Sequence, residues 1–294
     1  LVTMFFTRAA QQGEKPFLWR KSEGRWHSIS WAEAARQVAT LAAALRAEGI
    51  RAGDTVALVS ENRPEFCIAD LAIMAAGAVT VPTYTTNTER DHEHILTDSG
   101  ARAVIVSTAK LAKPLMPAVL RSNARLVIAM EPLRQMQLET LRVCQWADLM
   151  AAHADDPEAR VDYCAGAQAA TRDDLACIIY TSGTGGAPRG VQQHHGAILH
   201  NVEGCTEVIA TDFGLGDEVF LSFLPLSHAY EHSGGQFFPI GLGGQIYYAE
   251  GLDKLAGNIE EVRPTIMVVV PRLFEVLRTR VLKGIEKQGR VPVF

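Results

Sequence analysis

Between Tyr180 and Gly190 the chain reads Tyr-Thr-Ser-Gly-Thr-Gly-Gly-Ala-Pro-Arg-Gly, four glycines and three aliphatic hydroxyls within eleven residues. Glycines let a backbone turn sharply and bring its N–H groups close to an anion. Thr181, Ser182 and Thr184 add neutral donors, and Arg189 adds a planar cationic fork suited to phosphate. The apolar run Leu175 to Ile179 directly before them predicts a strand. Strand, Gly/Ser/Thr loop and cation together form a cradle for a polyphosphate. The spacing is neither G-x-x-x-x-G-K-[ST] nor G-x-G-x-x-G.

Histidines supply the other candidate chemistry. His228 follows an apolar strand in a proline-containing segment, where it can either face a cleft or satisfy backbone groups at the strand end. His194 and His195 are adjacent, so their rings point different ways and do not make a two-ligand metal site. His232 is expected at the surface. The five cysteines, Cys67, Cys144, Cys164, Cys177 and Cys205, are odd in number and form no C-x-x-C pair. That reading favours a reducing compartment over a disulfide framework or a zinc site.

The elements that must position these residues alternate along the chain. Ser30-Trp31-Ala32-Glu33 is a capping box opening a helix that Gly49 ends. Strands are predicted at Thr55 to Ser60, Ala78 to Tyr84, Ala103 to Ser107 and Leu126 to Met130, with helices at Arg63 to Gly77 and Thr88 to Ser99. The stretch Glu131 to Thr171 reads as an irregular excursion. After the loop come a helix (Gly196 to Thr211) and a strand (Glu218 to Leu224). A glycine-rich separator (Gly234 to Gly244) leads to strands at Gln245 to Ala249 and Thr265 to Val270, then a helix from Pro271 to Lys287. Such alternation implies βαβ units around mainly parallel sheets.

At 294 residues, 48% hydrophobic and 21% charged, the chain is a globular protein with ample core. A net charge of −5 without any basic block gives no reason to expect nucleic acid. The longest apolar stretch, Ile68 to Pro82, is short and contains Asp70, which argues against a membrane span. No basic patch followed by an apolar run marks a secretory signal at the N-terminus.

The Tyr180 to Gly190 stretch resembles the phosphate-binding signature Y-T-S-G-T-T-G-x-P-K-G of the AMP-forming adenylating enzymes, a family that includes the acyl-CoA synthetases. Gly185 stands where a second threonine is usual, and Arg189 where lysine is usual. The similarity extends along nearly the whole chain, through Ile29-Ser30-Trp31, Ser60-Glu61-Asn62-Arg63-Pro64-Glu65-Phe66, Gly77 to Pro82, Leu224-Pro225-Leu226-Ser227-His228-Ala229-Tyr230-Glu231, and Arg263-Pro264-Thr265 leading to Val270-Pro271-Arg272-Leu273-Phe274-Glu275. The last two segments most resemble the long-chain fatty acyl-CoA synthetase branch.

The resemblance implies an α/β fold of stacked αβαβα lobes with mainly parallel sheets, as the incomplete N-terminal large domain of such an enzyme. By analogy residues 56–211 form one lobe, with the phosphate loop at 180–190, and residues 1–55 plus 212–294 form the other, discontinuous and truncated; the family's C-terminal domain is absent. The implied activity is ATP-dependent conversion of a fatty, long-chain acid to acyl-adenylate and then acyl-CoA, with ATP, Mg2+ and coenzyme A taking part and residues 1–294 alone inactive. Thr181, Ser182, Gly183, Thr184, Gly185, Gly186, Arg189 and Gly190 would hold phosphate, Thr181 would also lie near magnesium, and His228 would sit beside the carboxylate and the α-phosphate. His195 matches a family histidine, for which a structural role is the main reading.

Phe223, Tyr230, Phe237, Phe238 and Tyr247 are candidates for an acyl tunnel, with ordinary core the favoured reading for most of them. Gly204-Cys205-Thr206-Glu207 and Gly216-Asp217 mimic family adenine and ribose motifs but stand too early in the chain. Partners implied are the small-molecule substrates, with room for a peripheral membrane contact and a homodimer; the implied location is cytoplasmic, against the inner face of a membrane if peripheral. The alternatives left open are a non-catalytic nucleotide-binding or scaffold protein that keeps the fold, and an adenylating enzyme for another carboxylic acid.

Overall fold

The computed structural model describes residues 1–133, 140–162, 164, 170–181, 187–271, 273–275, 278–279, 282 and 285. The strands fall into two sheets. The larger is seven-stranded, in the order β7-β6-β5-β3-β4-β8-β9. It uses β3 (Thr55–Val59), β4 (Val79–Thr83), β5 (Ala103–Val106), β6 (Leu126–Ala129), β7 (Arg142–Gln145), β8 (Leu175–Thr181) and β9 (Arg189–His194). All its neighbours are parallel except the last pair, β8 and β9. The smaller sheet runs β10-β11-β1-β2, from β10 (Val219–Ser222), β11 (Gln245–Tyr248), β1 (Pro16–Ser22) and β2 (Arg25–Ser30). Only the β1–β2 hairpin in it is antiparallel. This is the expected α/β class with mainly parallel sheets.

Helices fill the layers between and outside the sheets. Helix α2 (Trp31–Ala47) opens on Ser30, whose hydroxyl accepts from the Glu33 N–H. The Glu33 carboxylate turns to Arg36 and Gln37, so half of the expected capping box forms. Helix α3 (Pro64–Ala75) begins with proline in its first turn and buries every residue except Glu65. A helix apolar on all sides can only sit inside a protein, and α3 lies with α1 (Val2–Gln12) and α2 in the core that joins the two sheets. Helices α4 (Glu89–Asp98) and α5 (Ala109–Leu120) cover the other face of the larger sheet through a second core built on Val104, Leu115 and Val127.

Later elements depart more from expectation. The excursion after Glu131 contains β7 and a short helix, α6 (Trp146–Ala152). Helix α7 (His195–Asp212) matches its prediction closely. The glycine-rich separator is helical instead. A turn at Ala229–Glu231 runs into a π-helix at His232–Phe237 and an α-helical end at Phe238–Leu242. Two glycines permit this, because a Cβ on Gly235 would collide with the Glu231 carboxyl and one on Gly234 would lie 3.0 Å from Val268 Cγ2. The strand expected at Thr265 to Val270 reduces to one bridge, Ile266 to Phe220; Thr265 holds the β10 edge with both its backbone N–H, which donates to the Val219 carbonyl, and its side-chain oxygen, which accepts from the Val219 N–H. Helix α8 (Leu255–Val262) covers the outer face of the smaller sheet. The helix expected from Pro271 to Lys287 falls largely outside the described residues.

Between the sheets lies a buried polar seam. Asp70, in the middle of α3, accepts from His232 Nε2 at 2.8 Å and from Gln236 Nε2 at 2.6 Å. His232 is fully buried, which overturns its expected place at the surface. Burial alone would push this imidazole down, but the Asp70 carboxylate, with Cys177 near Nδ1, holds it up at about 10. Next to it Glu231 is also fully buried, with Oε1 accepting from Ser222 Oγ at 2.6 Å and Oε2 without a partner among the described residues. Burial pushes Glu231 up to about 8, against the pull of the Ser222 hydroxyl.

A carboxyl raised in the folded state stabilises fully below its unfolded value of 4.5 and loses that contribution as pH climbs to about 8. Glu231→Gln carries no such proton. The variant should therefore gain on the wild type by on the order of a few kcal/mol between pH 5 and pH 8 in guanidinium unfolding of the full-length protein. An equal difference at both pH values would show that Glu231 is ionised in the fold.

Candidate functional site

The glycine-rich loop is the tip of the β8–β9 hairpin. Thr181 pairs with Arg189 across its mouth, and Tyr180 pairs with Gly190 one step behind. Ser182, Gly183, Thr184, Gly185 and Gly186 lie outside the described residues. The hairpin root is fastened to α4. Tyr180 donates its hydroxyl to Asp98 Oδ2 at 2.6 Å, and His94 Nε2 donates to the Pro188 carbonyl at 2.8 Å. The His94 and Tyr180 rings meet edge to face at 6.1 Å. Gly190 leaves space for that ring: a Cβ there would stand 2.9 Å from Ile178 Cγ2 and 3.0 Å from Tyr180 Cζ. So the structure gives Gly190 a packing role at the loop's base. Thr181 and Arg189 are exposed. No carboxylate among the described residues pairs with Arg189, whereas Arg20, Arg46, Arg63, Arg121 and Arg172 all hold one.

His228 is exposed, at the N-terminus of the turn that leads into the π-helix. Its Nδ1 accepts from the Tyr230 N–H at 3.2 Å. An imidazole that accepts at Nδ1 carries its proton at Nε2, so the free side of the ring is a donor. His195, by contrast, is buried at the start of α7; burial pushes it down to about 4 and keeps it neutral. His194 is exposed and serves as the backbone cap of the same helix.

Beside His228 opens a groove of about 540 Å³. It is formed by Gln193 at the end of β9, by Val202, Gly204 and Cys205 on α7, and by Tyr230 and Phe238 after His228. Its volume is that of a small-molecule site. It lies between Gln193, on the hairpin strand that also carries Arg189, and Ala229 and Tyr230 directly after His228; neither Arg189 nor His228 is among the residues that line it. Of the five aromatic candidates, Tyr230 and Phe238 line it. Phe237 belongs to the core, Tyr247 stacks on Trp19 at 4.7 Å, and Phe223 faces a different cleft between the sheets. The adenine-like Gly204-Cys205-Thr206-Glu207 lies on α7 as expected, and Gly216-Asp217 lies in the loop before β10.

The second cleft, of about 450 Å³, lies where the ends of β3 and β4 meet the smaller sheet. Its cations are already spent. Arg63 holds Glu61, Glu65 and Glu131, and Lys21 holds Glu250 and Glu261. Sequence reasoning missed Asn62, Asp70, His94, Asp98 and Gln236. The signal was there for Asp70: a carboxylate inside an otherwise apolar helix has to meet a buried partner.

The family model described as AMP-binding enzyme matches residues 5–291. The chain is 29% identical over 281 residues to the long-chain-fatty-acid–CoA ligase FadD15 of Mycobacterium tuberculosis, covering 94% of this chain and 44% of that protein. It is 31% identical to the long-chain-fatty-acid–CoA ligase 6 of Mus musculus, over 89% of this chain and 38% of that one. The chain thus spans less than half the length of these relatives. Among solved structures, the adenylation domain of a carboxylate reductase from Mycobacterium chelonae superposes with a TM-score of 0.83 at 21% identity, over 98% of this chain and 48% of that one. With mainly parallel sheets and a family match over nearly its whole length, the chain belongs to the AMP-binding enzyme family.

Proposed function

We propose that the protein activates a long-chain fatty acid in two steps. An oxygen of the fatty carboxylate attacks the α-phosphorus of ATP and pyrophosphate leaves, giving acyl-adenylate. The thiol sulfur of coenzyme A then attacks the acyl carbon and AMP leaves. Neither step needs a nucleophile from the protein. Charge neutralisation and alignment are what it must supply. On this reading the two sheets are the cores of two lobes, residues 56–211 and residues 1–55 with 212–294.

The observation that carries the reading is the groove between the Arg189 strand and the His228 turn. It offers an acyl chain an apolar floor with a cation-bearing hairpin near one end and an Nε2 donor beside it. Arg189 would take the outer phosphates together with the loop residues Ser182, Gly183, Thr184, Gly185 and Gly186. The Nε2–H of His228 would donate to the carboxylate or the α-phosphate as charge develops there. Among the described residues no cluster of three or more His, Cys, Asp or Glu side chains makes a metal cage. Magnesium, a hard cation that prefers oxygen ligands and keeps several waters, would be held mainly by the phosphate oxygens of ATP, with Thr181 as the protein's candidate hydroxyl beside it.

Pyrophosphate release by the full-length protein, with ATP and a series of acids, tests the reaction. Release is expected with long-chain fatty acids; release driven only by an aryl or amino acid would exclude the substrate class, and ATP binding without release would favour a non-catalytic binder. Arg189→Ala should weaken ATP binding by roughly 1.5–3 kcal/mol, while Arg189→Lys keeps most of it. Equal ATP affinity in wild type and the alanine variant would remove Arg189 from the site. A Cβ on Gly204 would meet nothing within 4 Å. Gly204→Phe should therefore fold, fill the groove and raise KM for a long-chain acid about tenfold or more while leaving KM for ATP in place. An unchanged acid KM would place the acyl chain elsewhere.

A further inference from the structure

The segment that carries His228 is gripped on both sides by side chains from one short stretch of the larger sheet's layer. Before it, Asn62 in the turn after β3 uses its whole amide. Its Nδ2 donates to the Leu224 carbonyl at 2.6 Å and to Ser222 Oγ at 3.1 Å, and its Oδ1 accepts from the Leu226 N–H at 3.0 Å. After it, Asp70 holds His232 and Gln236. Both grips reach His228 through one backbone bond each. The His228 N–H donates to the Pro225 carbonyl, and the His228 carbonyl accepts from the His232 N–H, both at 2.9 Å.

We propose that Asn62 and Asp70 are positioning residues for His228, fixing from the larger sheet's side where the imidazole of the other sheet's segment stands. The inference deepens the proposed adenylation and rests on that reading for its kinetic consequence. Stability alone is a poor reason for this arrangement. A buried ion pair seldom stabilises more than an apolar pair of the same shape, and an amide that pairs with three separate groups adds direction rather than burial. Directional bonds are what a donor needs when a small displacement would spoil its aim. Neither Asn62 nor Asp70 lines the groove, so neither is placed to touch an acid bound there.

The test is a double-mutant cycle in the full-length protein, together with hydrogen exchange. Asn62→Ala should lower kcat of acid-dependent ATP–pyrophosphate exchange about tenfold or more, leave KM for ATP within about twofold, and cost less than about twofold when His228 is already alanine. The isosteric Asp70→Asn should behave the same way and serves if the first variant folds poorly. Deuterium uptake by residues 224–232 should rise in either variant, while residues 175–181 of the hairpin stay as protected as before. Equal losses of kcat with and without His228, or unchanged uptake at 224–232, would overturn the proposal. If the wild type exchanges pyrophosphate with no acid, adenylation fails as a reading, and the uptake of 224–232 still decides whether Asn62 and Asp70 hold this segment.

Discussion

A carboxylate in the middle of an apolar helix dictates much of this structure. Asp70 sits on α3, the helix buried on all sides between the two sheets, and it cannot stay charged there without a cation and further donors. His232 and Gln236 supply both, and they come from the other sheet's connection. Removing His232 would leave an uncompensated charge in the core, which is among the costlier defects a fold can carry, and removing Gln236 would take a hydrogen bond from the buried carboxylate. The bond therefore ties the stacking of the sheets to one register of the π-helix. The same register places Glu231 against Ser222 and sets Ala229 and Tyr230, the residues after His228, along the groove.

Charge is distributed so that only some cations are free to meet an anion. In the cleft between the sheets Arg20, Arg63 and Lys21 are each matched by glutamates. The matching keeps Arg63 charged and leaves that cleft with little net attraction for phosphate. The hairpin is different. Its root is fastened by hydrogen bonds to α4, with Tyr180 on Asp98 and His94 on the Pro188 carbonyl, and Arg189 at its mouth has no carboxylate partner among the described residues. A fixed root with a free cation at the tip is an economical way to present positive potential without a basic surface, in keeping with a chain whose net charge is −5.

The sequence revealed the framework wherever local signals decided the outcome. The buried strands Thr55–Val59, Val79–Thr83, Ala103–Val106 and Leu126–Ala129 are short apolar runs between turns, α2 announces itself with the Ser30 cap, and α4 shows in its apolar spacing. The hairpin loop was legible because its composition suits few other purposes. What could not be read depended on contacts distant in sequence. The glycines of 234–244 looked like a separator, yet they allow a helix to wind over the Glu231 carboxyl. His232 looked like surface because nothing nearby in the chain marks it; its partner is 162 residues away. Thr265 to Val270 has the β-branched composition of a strand, but the bridge at Ile266 is all that forms there among the described residues.

The division of labour between the sheets follows from these constraints. Everything that fastens the hairpin loop comes from the larger sheet and the helix beside it, while His228 belongs to a connection of the smaller one. A site made from both exists only as well as the seam between them is fixed. Apolar packing alone would leave that seam free to slide, because hydrophobic contact has no preferred direction and repacks at little cost. The Asn62 amide and the Asp70 carboxylate resist sliding, since each of their bonds is lost within a fraction of an ångström. In this fold the fixed register of the seam is a property of buried polar geometry, and the apolar core supplies the affinity of the layers for one another.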